Sequence, residues 1–294
     1  MNRHITGKAR SDVLTTSLDG LWVLQAVTGI ETLCPELGLR PLLPRLDTAE
    51  RALRHPIAEE LTDIGALDDQ GEVDPMIREW LTVVMRRDVA LLLQLNFPGR
   101  PYGDPQHMTR VSISRFASWW VVLERHDQEV RLYPAGTATD EAAAGDLVVG
   151  QIERLCGVTD AAPLRPVTLD TKELLEQVRD PDSLRRYLAA QRLDIDQQQL
   201  VMMAADPEVS GQANIVALQT GAGPEELARM AIGDTAVMIS DTPAGRVCVE
   251  NIDNGGRRYQ IVSPGTRADV ANAILRLIRR LPAGAEWHSH RRVV

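Results

Sequence analysis

The stretch Arg115–Gly157 constrains this chain most, because it reads as two strands, a turn and a helix, and a similar unit returns at Arg246–Gly284. In the first copy Trp119–Leu123 is an unbroken apolar run, as expected of a strand covered on both faces. His126, Asp127 and Gln128 are turn-like, and Val130 and Leu132 then alternate with Glu129 and Arg131. Val148, Ile152 and Leu155 stand at i, i+4 and i+7, which gives a helix one apolar stripe. In the second copy Val247 and Val249 alternate with polar or small neighbours, and Asn254-Gly255 signals a hairpin. Tyr259 and Ile261 continue the alternation, and Val270, Ile274, Leu277 and Leu281 repeat the helical stripe. Pro-Ala-Gly-Thr at 134–137 echoes Pro-Gly-Thr at 264–266. The repeat predicts a chain made of two related halves.

The rest of the chain supports that division. Val13–Ser17 reads as a short edge strand, and Asp19 as the cap of a helix that ends near Gly29. Three prolines make Cys34–Pro44 an extended connection. Asp47 with Glu50 has the spacing of a capping box, Pro56 restarts the helix, and Asp74-Pro75 opens the next one. Val89–Leu95 and Val111–Phe116 read as strands on either side of a long Pro- and Gly-rich loop. Alanine and two prolines in Thr159–Pro166 mark the boundary between the halves. Helices follow, capped by Asp170, opened by Pro181 and capped by Asp196; then come strands at Ile215–Leu218 and Ala236–Ile239. Pro224–Met230 reads as one or two helical turns. The expectation is an α+β fold of two quasi-symmetric halves, each a largely antiparallel sheet with packed helices. Residues 1–12 are expected to form a flexible tail, 13–160 the first half and 161–294 the second.

Composition narrows the function. An apolar fraction of 44% in 294 residues suffices for a large core, and with 4% aromatics the aliphatic residues must fill it. A net charge of −9 and the lack of a dense basic stripe argue against a nucleic-acid surface. The first residues have no apolar signal-peptide core, and no run reaches membrane-spanning length, so a cytoplasmic protein is expected. Cys34, Cys156 and Cys248 are far apart and read as buried thiols.

No pattern of catalytic residues stands out. His288 and His290 could share a metal but have no third ligand in view, and they read as part of a solvated tail. Gly221-Ala222-Gly223-Pro224 could cradle phosphate, yet no P-loop lysine accompanies it and a plain turn is the simpler reading. The carboxylates at Glu59-Glu60-Asp63, at 68–74 and at Asp194-Asp196 lack the intervals of a calcium loop and read as solvated faces and caps. Two features suit a partner-binding surface instead. The Phe97–Met108 loop carries Phe97, Arg100, Tyr102 and Met108, types enriched at interface centres. Leu200, Met202 and Met203 offer adaptable apolar area on a helix.

The chain also resembles the EspG family, the cytosolic chaperones of type VII (ESX) secretion. The likeness rests on Leu18-Asp19-Gly20-Leu21-Trp22-Val23-Leu24-Gln25-Ala26, Ile30-Glu31, and Cys34-Pro35-Glu36-Leu37-Gly38-Leu39-Arg40-Pro41. Near the end it rests on Arg280-Leu281-Pro282-Ala283-Gly284 and Glu286-Trp287. The resemblance implies a fold of two quasi-symmetric halves and a binding protein with no cofactor. It implies a PE–PPE heterodimer as the partner, gripped at the apolar tip of the PPE helices, with the loop between early strands in the contact. It further implies a cytosolic chaperone that keeps the pair soluble and targets it to the secretion machinery, as a monomer or weak homodimer. The alternatives are an enzyme with a site in the cleft between the halves, or a scaffold that does no chaperoning.

Overall fold

The computed structural model describes residues 12–98, 108–221 and 230–291. The first half runs β1 (Leu14–Ser17), α1 (Leu18–Thr28), α2 (Ala49–Leu53), α3 (Ile57–Asp63), α4 (Pro75–Arg86) and β2 (Val89–Asn96). It continues with β3 (Thr109–Phe116), β4 (Trp119–His126), β5 (Glu129–Thr137) and α5 (Glu141–Cys156). The second half runs β6 (Val167–Asp170), α6 (Thr171–Gln177), α7 (Pro181–Ala190), α8 (Ile195–Ala205) and β7 (Gly211–Thr220). It continues with β8 (Met230–Ile232), β9 (Val237–Thr242), β10 (Gly245–Asn254), β11 (Arg257–Pro264) and α9 (Arg267–Arg279).

The two halves repeat one plan: a short strand, a helical bundle, four main strands and a closing helix. The two sets of strands join edge to edge in a single antiparallel sheet, ordered β1-β5-β4-β3-β2-β7-β9-β10-β11-β6. Each strand on one side of the β2–β7 seam thus has a counterpart at the same distance on the other, and β8 is an addition beside β7. The seam is a ladder running from Val89↔Gln219 to Asn96↔Gln212, not a cleft.

Alternation along the strands explains the apolar runs. On β4, Trp120 and Val122 face a core under α5 and α9, while Val121 and Leu123 face a second core under α1, α3 and α4. On β10, Cys248 joins the first core, and Val247 and Val249 join a third under α7 and α8. The α5/α9 core draws on both halves: Val148 and Ile152 from one helix, Val270, Ile274 and Leu277 from the other, and β2 and β7 between them. The sheet therefore has one face covered by two helices and the other by two separate helical bundles. The β10–β11 hairpin turns at Gly255-Gly256, whose φ of 62° and 84° suit only residues free of Cβ strain.

Several local expectations shift. The cap of α1 is Ser17, whose side chain accepts from Gly20 N; Asp19 lies inside the helix. Thr48, not Asp47, caps α2, and Asp194, not Asp196, caps α8. In each case the cap is the last residue with extended backbone, and the neighbouring carboxylate already lies outside that position. The Cys34–Pro44 connection contains a 3-10 turn at Pro35–Leu37. The strands β6 and β8 lie where no strand was expected. Most of Gly221–Pro224 and of the helical turns expected over Pro224–Met230 lies outside the described residues.

The C-terminal segment corrects the solvated-tail reading of His288 and His290. Trp287 is fully buried, edge-on to Trp120, and its Nε1 donates to Glu141 Oε1 at 2.7 Å. Buried Arg115 donates to His288 O at 2.6 Å and to His290 O at 2.7 Å while pairing with Asp88 at 3.5 Å. Gln219 Oε1 accepts from Ala283 N at 2.9 Å, and Ser289 Oγ donates back to Glu286 O. The segment is a strap across the seam, joined to β3 and β7. Burial pushes the Arg115 guanidinium down to about 10, with Asp88 pulling the other way, so it stays charged at neutral pH.

Candidate functional site

Among the described residues, the two helical bundles cover the outer strands of one sheet face and leave its middle open between them. On β2 the residues Val89, Leu91, Leu93 and Leu95 belong to the α5/α9 core, so Leu92, Gln94 and Asn96 face the other way. On β7 the core residues are Ala213, Ile215 and Ala217, which turns Gln212, Asn214 and Val216 to the same opposite face. The register lines these up as rows across the seam. Ser112, Leu92 and Val216 form one row, and Arg110, Gln94, Asn214 and Met238 the next. Gln94 is exposed, and Leu92, Asn214, Val216 and Met238 are half-buried. Among the described residues, a strip of mixed apolar and amide character thus lies at the sheet centre between the two bundles, with Leu92 against the α1/α3/α4 core and Met238 against the α7/α8 core.

A third row is buried and polar: Asn96, Gln212 and Ser240. It fixes the end of α8. Gln212 Nε2 and Ser240 Oγ both donate to Ala204 O, each at 3.0 Å. Ser210 Oγ donates to Met203 O at 2.7 Å, and Asn96 Nδ2 donates to Pro207 O at 3.3 Å. The last carbonyls of a helix have no partner within the helix, so these side chains supply what the helix end lacks. They also tie the segment after α8 to the end of β2.

The described residues among those singled out from sequence fall around this end of the sheet in different states. Phe97 is half-buried, packs on the α5/α9 core and lies between two hollows of about 480 and 180 Å³. Met108 is half-buried, and its Sδ accepts from Gln94 Nε2 at 3.5 Å, which places it beside the strip. Arg100 and Tyr102 lie outside the described residues. Leu200 is 5% exposed and belongs to the α7/α8 core, while Met202 and Met203 are half-buried against it. The structure therefore brings Met108 to the strip and the end of α8 to the end of β2, whereas Phe97 packs on the opposite face of the sheet. The strip and the buried polar row escaped sequence reasoning. Their signal is the placing of Gln94 and Asn96, and of Gln212 and Asn214, at alternate positions within otherwise apolar strands.

The electrostatics around the three thiols do not favour nucleophilic chemistry. Burial raises Cys34, pushes Cys156 up to about 11 and Cys248 up to about 12, so all are protonated at neutral pH. Burial, then the hydrogen bond to Glu124, raises Tyr133 as well. Among the described residues no group of three or more His, Cys, Asp or Glu side chains is placed to hold a metal ion. No helix of the described residues is long and apolar enough to cross a membrane.

The chain is an α+β protein built on one continuous two-half antiparallel sheet with helices on both faces. The model of the EspG family matches residues 17–276, and the chain belongs to that family. It is 66% identical over 282 residues to the ESX-2 secretion-associated protein EspG2 of Mycobacterium tuberculosis (strain ATCC 25618 / H37Rv), covering 96% of this chain and 100% of that protein. It is 28% identical over 274 residues to the ESX-3 secretion-associated protein EspG3 of Mycolicibacterium smegmatis, covering 92% and 87%. Its fold matches the Mycobacterium tuberculosis type VII secretion system chaperone EspG5, solved in complex with a PE25-PPE41 dimer. That match has a TM-score of 0.71 and 19% identity, and covers 92% of this chain and 98% of the other.

Proposed function

We propose that this protein is a cytosolic chaperone of type VII secretion that binds a PE–PPE heterodimer through the apolar tip of the PPE subunit. The observation that carries the proposal is the fold shared along nearly the whole chain with EspG5, a chaperone solved with a PE25-PPE41 dimer. The identity with an ESX-2 protein supports clients from an ESX-2 system. The physical task is to remove an aggregation-prone apolar end from water, which needs a complementary surface and no cofactor or catalytic group. We assign the client surface to the open strip, Met108, the loop that carries Phe97, Arg100 and Tyr102, and the end of α8 with Met202 and Met203; buried Leu200 supports that helix from beneath. Halves at 13–160 and 161–294, working as one monomeric or weakly dimeric unit, complete the reading.

A PE–PPE pair of an ESX-2 system, warmed alone, should scatter light as it aggregates. An equimolar amount of this protein should suppress the scattering where the same amount of albumin does not. Equal scattering with both additions, for every cognate pair, would overturn the proposal.

A further inference from the structure

A second surface lies at the far edge of the first half, away from the seam. The end of α3, the start of α4 and the strand β1 enclose a groove of about 1290 Å³. Its floor and walls include Leu14, Leu67, Ile77 and Trp80, all buried, while Ile64 and Met76 remain 54% and 38% exposed. Among the described residues its lining carries five carboxylates, Asp63, Asp68, Glu72, Asp74 and Glu79, against the single guanidinium of Arg78. That guanidinium is itself engaged by Glu72 at 2.9 Å. Val13, Leu14 and Thr15 line the groove too, and β1 is the terminal strand of the sheet, with no strand on its outer side among the described residues.

The geometry points to a docking site for an extended, basic segment of a partner protein. An edge strand accepts an added strand through its main-chain groups, and period two then sends alternate side chains of the guest to opposite sides. Apolar side chains of the guest would rest against Ile64 and Met76. Basic ones would meet the acidic rim, whose excess of negative charge selects the sign of the guest and disfavours an acidic one. A strand of four residues, Leu14–Ser17, fits a short guest of similar length. This surface is distinct from the client strip, which lies at the centre of the sheet, and the inference does not depend on the client being a PE–PPE pair.

The test uses the full chain and two fluorescein-labelled octapeptides, one alternating lysine with valine and one alternating glutamate with valine. The lysine peptide should bind at least about tenfold more tightly than the glutamate peptide, and binding should weaken with added salt. The paired variant I64K/M76K should lose about tenfold or more in affinity for it. The variant E59Q/E60Q makes the same change in net charge on the exposed face of α3, outside the groove lining, and should bind nearly as the parent does. Equal loss in both variants means diffuse charge attraction and overturns the proposal, as does equal binding of the two peptides. A homodimer that I64K/M76K dissolves would make the groove a self-association surface, and loss of the client by that variant would make it part of the client site; either result also overturns it.

Discussion

The buried row that anchors α8 allows a quantitative test by double mutation. The carbonyl of Ala204 receives two side-chain donors, Gln212 Nε2 and Ser240 Oγ, each at 3.0 Å. The amide that a continuing helix would offer it, Glu208 N, donates instead to Asp206 Oδ1 at 2.9 Å. Removing one donor leaves the other in place, so Gln212→Leu and Ser240→Ala should each cost about 1 kcal/mol, the net worth of an ordinary buried hydrogen bond. Removing both strands a buried acceptor, and that desolvation penalty adds about 1–3 kcal/mol to what the single changes cost. The double variant should therefore cost more than the sum of the singles by about 1 kcal/mol or more. Guanidinium denaturation followed by circular dichroism gives the three values, with unchanged m-values as the check that the transition is the same one. Additivity within about 0.5 kcal/mol would refute the shared-acceptor reasoning.

The remaining predictions concern the strap, the thiols and the client surface. Arg115→Met should destabilise by about 3–5 kcal/mol, because it leaves Asp88 buried beside a lost cation and frees the strap; limited proteolysis should then cut near residue 288. The thiol of Cys248 should react slowly with a disulfide reagent at pH 8 and quickly once unfolded, and equal rates would contradict its burial; Cys156, expected to be buried, is half-buried beside a hollow and should react faster than Cys248. Because their folded values of about 11 and about 12 lie above the ordinary value of 9.0, the unfolded chain loses these protons first; the stability they provide should fall as pH rises from about 9 to about 12, as pH-dependent melting would show. Val216→Asp on the open strip should weaken client binding by more than about tenfold, whereas unchanged affinity would remove the strip from the client surface.

The repeat was legible because each copy carries its own local signals. Asn254-Gly255 sets one hairpin, and the stripes of Val148 with Ile152 and of Val270 with Ile274 set the two closing helices. The continuous sheet was not legible, since two apolar runs such as β2 and β7 do not state that they pair with each other. The short strand β6 has only Val167 and Leu169 as apolar residues and gains its conformation by pairing with β11, a tertiary cause. Caps were misplaced where several polar residues adjoin, as at Ser17 and Asp19, because backbone conformation chooses among them. The strap was misread because Trp287 is flanked by polar residues; its burial comes from Trp120, Glu141 and Arg115, all distant in sequence. Of the proposed client surface, Phe97–Met108 and the methionines of α8 drew notice by composition, while the strip was not legible because it depends on which bundle covers which strands.

The central claim is that this surface receives a PE–PPE pair as a unit. Its most direct measurement is the mass, by light scattering on a sizing column, of what forms when the protein is co-expressed with a pair from an ESX-2 system. One species holding one copy of each of the three chains is the result predicted; the pair and this protein emerging as separate peaks, for every cognate pair, is the result that would contradict it.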